Sequence, residues 1–159
     1  MKPPWRVFDR AASTATAPKN LPLSLLFTMT RGGGNPELER FYLQISIEST
    51  RRLSDYCVDV EFPSAFLNAS TTYGPEVREL RTSSHLVLRA TPENYTKILN
   101  PGRNDLQGIE FFIRRDGSQR ESMNEVVRAI TYYEDNPTTL EHSIAELCDK
   151  NNPLVFRES

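Results

Sequence analysis

The sequence predicts an all-β protein, an antiparallel immunoglobulin-like β-sandwich of about seven strands with at most one short helix. Three observations predict it. First, Phe41, Leu43, Ile45 and Ile47 alternate with Tyr42, Gln44, Ser46 and Glu48. A period of two marks a strand with one buried face and one wet face. Second, the same alternation recurs along most of the chain. Third, clusters of Gly, Pro, Asn and Asp separate the runs, as turns between short strands do.

The chain has 159 residues, which is one domain by length. A domain of that size buries roughly two-thirds of its unfolded surface and needs no metal or disulfide to fold. The sandwich is placed at residues 21–150. Residues 1–20, rich in Pro, Ala, Ser and Thr, read as an extended or disordered N-terminal segment, with Trp5 and Phe8 able to tuck against the body. Residues 151–159 read as a C-terminal tail.

Strand one covers residues 21–30, with Leu21, Leu23, Leu25, Phe27 and Met29 in phase. A glycine-rich stretch, Arg31-Gly-Gly-Gly-Asn-Pro36, reads as a long, mobile hairpin loop before strand two, residues 38–48. Strand three is 56–62. There Tyr56, Val58, Val60 and Phe62 share one face, while Cys57, Asp59 and Glu61 share the other. Residues 63–67 leave the sheet, with a short helical turn expected, and 68–82 read as irregular. Strand four is 84–90 and strand five is 107–115, with Ile109, Phe111 and Ile113 in phase. Asp116-Gly117 is a hairpin signal because Gly supplies the positive φ that such turns need. Strand six is 124–134. The next segment has two readings. Thr138-Thr-Leu-Glu141 fits a helix capping box, and residues 142–147 also fit a last strand.

The charge balance bounds the function. The net charge is −2, without the basic excess of a general nucleic-acid binder. Residues 78–120 are net basic and 121–149 net acidic, so adjacent strands of complementary charge are one expectation. No apolar run approaches the ~20 residues of a membrane span. The N-terminus lacks the apolar core of a signal peptide, so a cytoplasmic location is expected. Cys57 and Cys148 have no metal-ligand spacing. The phase of strand three turns Cys57 away from the core, which removes the buried inter-sheet disulfide of antibody domains. Asn68 and Asn94 open N-x-S/T triplets, which matter only in a secreted protein.

Catalytic signals are weak. His85 and His142 are the two histidines, and no G-x-S-x-G elbow accompanies them. Asp59 and Glu61 share a strand face and read as solvated rather than as a cation site. The triple glycine opens into a strand, whereas phosphate loops open into a helix. The expectation is therefore a non-enzymatic module, without catalytic residues, metal or cofactor, that binds a protein partner or a neighbouring domain through loops and edge strands. Self-association is a further expectation, and nucleic acid is disfavoured. The residues expected to touch the partner are Arg31, Gly33, Asn35, Arg114, Arg115 and Asp116. The alternative is a sensor for an anionic small molecule or nucleic acid, held by Arg51, Arg52, Arg114 and Arg115, whose forked guanidinium groups suit phosphate and carboxylate.

Overall fold

The computed structural model describes residues 21–66, 78–81, 85–90 and 98–158. The expectations for residues 1–20, Asn68 and Asn94 lie outside them. The described chain forms nine strands and one short helix. They are β1 (Leu23–Gly34), β2 (Leu38–Ser49), β3 (Cys57–Pro63), β4 (Arg78–Arg81), β5 (His85–Ala90), β6 (Gly102–Arg114), β7 (Val126–Tyr133), β8 (Asn136–Ser143), α1 (Ile144–Cys148) and β9 (Val155–Arg157). One sheet has the order β6-β2-β1-β9 and the other β4-β5-β3-β7-β8. Every described pairing is antiparallel. The chain crosses between sheets after β2, after β5, after β6 and after β8. The strands β6-β2-β1 thereby oppose β3-β7-β8, as strands E-B-A oppose C-F-G in the immunoglobulin arrangement.

The alternating residues of the sequence form the core. Leu23, Leu25, Phe27 and Met29 of β1 and Phe41, Leu43, Ile45 and Ile47 of β2 meet Val58, Val60 and Phe62 of β3, Leu86 and Leu88 of β5, and Val127 and Ala129 of β7. Phe111 of β6 sits at the centre of an aromatic cluster. It stacks on Phe41 at 5.5 Å and meets the edges of Phe62 at 5.1 Å and Phe66 at 6.4 Å. Phe66 is held there by a 3-10 turn at Ser64–Phe66, where a short helical turn was expected.

Several boundaries differ from the sequence reading, each for a physical reason. β6 begins at Gly102 rather than 107, and its register shifts by one extra residue between Asp105 and Gln107, which pair with the adjacent Ser46 and Ile45 of β2. Asn104 and Leu106 face inward before the bulge, and Ile109 and Phe111 after it. One strand thus carries two phases, and only the second shows as a clean alternation. The buried Asn104 amide closes this corner. Its Nδ2 donates to the carbonyls of Asn100 at 2.9 Å, Gly102 at 3.1 Å and Ile47 at 3.3 Å, and its Oδ1 accepts from the Asn100 N–H at 2.9 Å. β4 has only four residues, too few to show a period, and falls in the stretch read as irregular.

The C-terminal segment is both strand and helix. β8 ends at Ser143, where the hydroxyl accepts from the Glu146 N–H at 3.1 Å and the Glu146 carboxylate reaches back to the Ser143 N–H at 3.2 Å. The capping box therefore lies at Ser143–Glu146, not at Thr138–Glu141, which stays in the strand. Residues 151–159 are not simply a tail: β9 pairs with β1, Phe27 opposite Phe156, and Phe156 enters the core. The Glu158 carboxylate follows, accepting from the Leu25 N–H at 3.1 Å.

On the outward face of the five-stranded sheet, Asp59 and Glu61 are tied to flanking strands. Arg89 of β5 grips Asp59 through both carboxylate oxygens at 2.6 and 2.7 Å. Arg128 of β7 bridges Glu61 of β3 and Glu141 of β8. These pairs do not join the basic and acidic blocks of the sequence: Asp59 and Glu61 belong to neither, and Arg128 and Glu141 both lie in the acidic one. Cys57 shares this outward face, as its phase required, yet it is fully buried beside Ile130 and Tyr132. Asp59, expected to be solvated, is likewise buried at 7% exposure, because Arg89 covers its carboxylate. Neither cysteine forms a disulfide.

Two outcomes follow for stability. Truncating Phe111 to Ala leaves three aromatic rings without their common neighbour. It is expected to lower the unfolding free energy by about 3–5 kcal/mol in urea titrations. Burial pushes the Glu158 carboxyl above its ordinary value of 4.5. A group raised in the folded state contributes stability below its unfolded value and loses it as pH rises through the folded one. Glu158→Gln keeps the acceptor oxygen and removes the titration. The variant should therefore gain stability relative to the parent as urea midpoints are followed from pH 4 to pH 7, and a constant difference would refute the burial of that charge.

Candidate functional site

Gly33, Asn35, Arg114, Arg115 and Asp116 converge at one end of the four-stranded sheet. The β2–β6 register brings them together by placing Leu38 opposite Arg114. The expected long, mobile loop is instead compact. β1 runs on through Gly32, Gly33 and Gly34, whose φ angles are +108°, +94° and +97°, a region open to glycine and strained for other residues. Asn35 then closes the turn. Its N–H donates to the Leu38 carbonyl at 2.9 Å, and its side-chain oxygen accepts from the N–H groups of Glu37 and Leu38, both at 2.8 Å.

Asp116-Gly117 is not a hairpin, because β6 and β7 belong to different sheets. It opens the crossover between them. The Asp116 carboxylate accepts from the Ser118 N–H at 2.9 Å. Bonding to Ser118, helped by nearby Arg114, holds this exposed carboxyl below the usual carboxylate range. Gln119 turns back to accept from the Arg114 N–H at 2.6 Å, and a 3-10 turn at Glu121–Asn124 leads into β7.

Arg115 joins the two loops. Its N–H donates to the Glu37 carbonyl at 3.0 Å, and its guanidinium donates to the carbonyls of Asn35 at 2.9 Å and Gly33 at 3.3 Å. A depression of about 690 Å³ lies beside this junction, lined by Pro36, Glu37, Leu38, Arg114, Arg115 and Asp116. A second hollow of about 210 Å³ shares Arg114 with the first and is otherwise lined by Ile113, Gly117, Gln119, Arg120 and Met123. The sequence reading missed Arg120 and Met123. Neither stands in a motif, and only the crossover geometry brings them beside β6.

Arg31 has a different role from the one expected. Its guanidinium donates to the carbonyls of Leu147 at 2.8 Å, Asn152 at 2.7 Å and Pro153 at 3.1 Å. It clamps the end of α1 and the approach to β9 onto β1. The alternative arginine site does not assemble. Arg51 and Arg52 follow the Ser49 end of β2, whereas Arg114 and Arg115 lie beside its Leu38 end. A twelve-residue strand at 3.3 Å per residue separates the pairs by about 35 Å. Arg51 also bonds the Tyr133 hydroxyl at 2.5 Å.

Among the described residues, no group of three or more His, Cys, Asp or Glu side chains is placed to hold a metal ion. No described helix is long and apolar enough to cross a membrane. His142 lies against Phe156 at 4.8 Å and faces Glu146 Oε2 from Nδ1 at 3.2 Å. Burial pushes the Cys148 thiol up to about 12, which keeps it protonated at neutral pH.

No protein-family model matches the chain, and no curated protein does. Among solved structures the chain is similar to part of a crystal structure of a GH20 exo-β-N-acetylglucosaminidase from Vibrio harveyi in complex with N-acetylglucosamine. Identity is 15%, the TM-score is 0.41, and the match covers 76% of this chain and 17% of that one. The likeness is too slight to bear on activity.

The compact turn makes a sharp comparison between neighbouring glycines. A Cβ at Gly34 would stand 2.1 Å from the Leu38 carbonyl oxygen, while one at Gly32 would meet nothing within 4 Å. Both positions carry the backbone strain of a positive φ, about 1–3 kcal/mol for a non-glycine residue. Gly34→Ala should therefore destabilise the protein more than Gly32→Ala in urea titrations. It should also shift the amide resonances of Asn35 and Leu38. Equal losses would mean that the turn is not closed as described.

Proposed function

We propose that this chain is a non-enzymatic β-sandwich module that binds a protein partner or a neighbouring domain. The binding surface is the end formed by the β1–β2 turn and the exit of β6. One observation carries the reading: Arg115 fastens both loops into a single surface, with three donors directed at Glu37, Asn35 and Gly33. A surface arranged beforehand loses less freedom when a partner arrives. Around this fastening, Pro36, Glu37, Arg114 and Asp116 are exposed and line one depression.

The test blocks that end without altering its charge. Pro36→Cys is coupled to a polyethylene glycol chain, and Arg52→Cys at the opposite end is coupled in the same way as a control. Proteins captured from a native extract are quantified for both. Modification at position 36 should abolish capture of a partner that the control retains. Equal capture would exclude this end as the binding surface, and no capture by the unmodified chain would remove the module reading.

A further inference from the structure

Most described arginines are committed within the chain. Arg31 and Arg115 hold carbonyls, Arg51 holds Tyr133, and Arg40, Arg89, Arg103, Arg128 and Arg157 hold carboxylates. Among the described side chains, only the guanidinium groups of Arg52, Arg114 and Arg120 show no hydrogen bond or ion pair. Two of these, Arg114 and Arg120, line the same small hollow. Its floor is apolar: Ile113 and Met123 pack against the core from below and remain partly exposed. Gly117, whose φ of +78° favours glycine, completes the lining.

Two cations without a hydrogen bond or ion pair, Arg114 feeling only the nearby charge of Asp116, lie beside an apolar floor and define a ligand with matching parts. We infer that the hollow between β6 and the 3-10 turn takes an acidic peptide segment, an apolar side chain resting on Ile113 and Met123 while flanking carboxylates meet Arg114 and Arg120. Methionine adapts to the shape of an apolar side chain, and guanidinium forks engage carboxylates through paired donors. A nucleic acid fits the surroundings less well. Glu37, Asp116 and Glu121 stand exposed around the two cations; they repel a nucleic acid, charged at every phosphate, more than a short peptide with two carboxylates aimed at Arg114 and Arg120. The inference rests on the interaction reading above and specifies the partner's chemistry.

The test uses the full chain and a random peptide library displayed on phage. Selected sequences are resynthesised with a fluorophore and measured by anisotropy against the parent and Arg114→Gln/Arg120→Gln. Enriched peptides should place Asp or Glu beside Leu, Ile, Phe or Met. Losing two charge-assisted contacts should weaken them at least about tenfold, with an unchanged melting temperature. The methyl resonances of Ile113 and Met123 should shift on binding. Enrichment of basic or uncharged peptides, or undiminished binding by the double variant, would overturn the inference. The interaction reading would survive that result if polyethylene glycol at position 36 still blocked the selected peptides. An empty selection would overturn the inference without touching capture of a folded partner. Binding of a poly-thymidine oligonucleotide lost in the same double variant would overturn it in favour of nucleic acid.

Discussion

Each sheet carries an apolar face that it cannot hide alone. Leu25, Phe27, Leu43 and Ile45 on one side, and Val58, Val60, Phe62 and Leu88 on the other, leave water by covering each other. Burying a side chain of this size contributes about 1.5–3 kcal/mol, far more than an exposed ion pair. The inner phase of each strand is therefore the dominant constraint, and the outward residues follow from it. Where the chain needs another geometry, it changes phase through a defect. The β6 bulge lets Asn104 and Leu106 face inward at one end of the strand and Ile109 and Phe111 at the other.

The outward charges mostly serve the fold. Arg89 and Arg128 link β5, β3, β7 and β8 through Asp59, Glu61 and Glu141. Pairing with Asp59 raises the Arg89 pKa further above its already high value, so this cation stays charged under all ordinary conditions. Arg31 acts at longer range, fastening residues near the C-terminus to β1 through three carbonyls. Arginine content is thus a poor guide to the charge a partner can reach. The informative arginines are those that the fold leaves unoccupied, and these are few.

The last strand shows how little sequence a sandwich needs to cover an edge. β9 has three residues, and only Phe156 among them is buried. It holds because Phe156 meets Phe27 and His142, because Glu158 accepts the Leu25 N–H, and because the Arg31 clamp delivers the chain to the right place. None of these contacts is local. A three-residue strand whose β1 partners lie more than a hundred residues away shows no period of its own.

Much of the fold was legible in the chain. The alternation through β1, β2, β3 and β5 specified those strands and their buried faces, because a residue's face depends only on its neighbours two positions away; β7 was legible as a strand but apolar on both faces. The same rule turned Cys57 outward. It could not show that Cys57 would still be buried, since burial depends on what lies above the sheet. The candidate site was half legible. Turn chemistry singled out Asn35 and Asp116-Gly117, but the sheet register brought Leu38 opposite Arg114, and the crossover from β6 to β7 carried Arg120 and Met123 beside them. The sequence by itself determined the longer strands and their phase, which are local matters of stereochemistry. Only the tertiary structure decided which arginines are occupied and which loops meet, because both depend on distances between residues far apart in the chain.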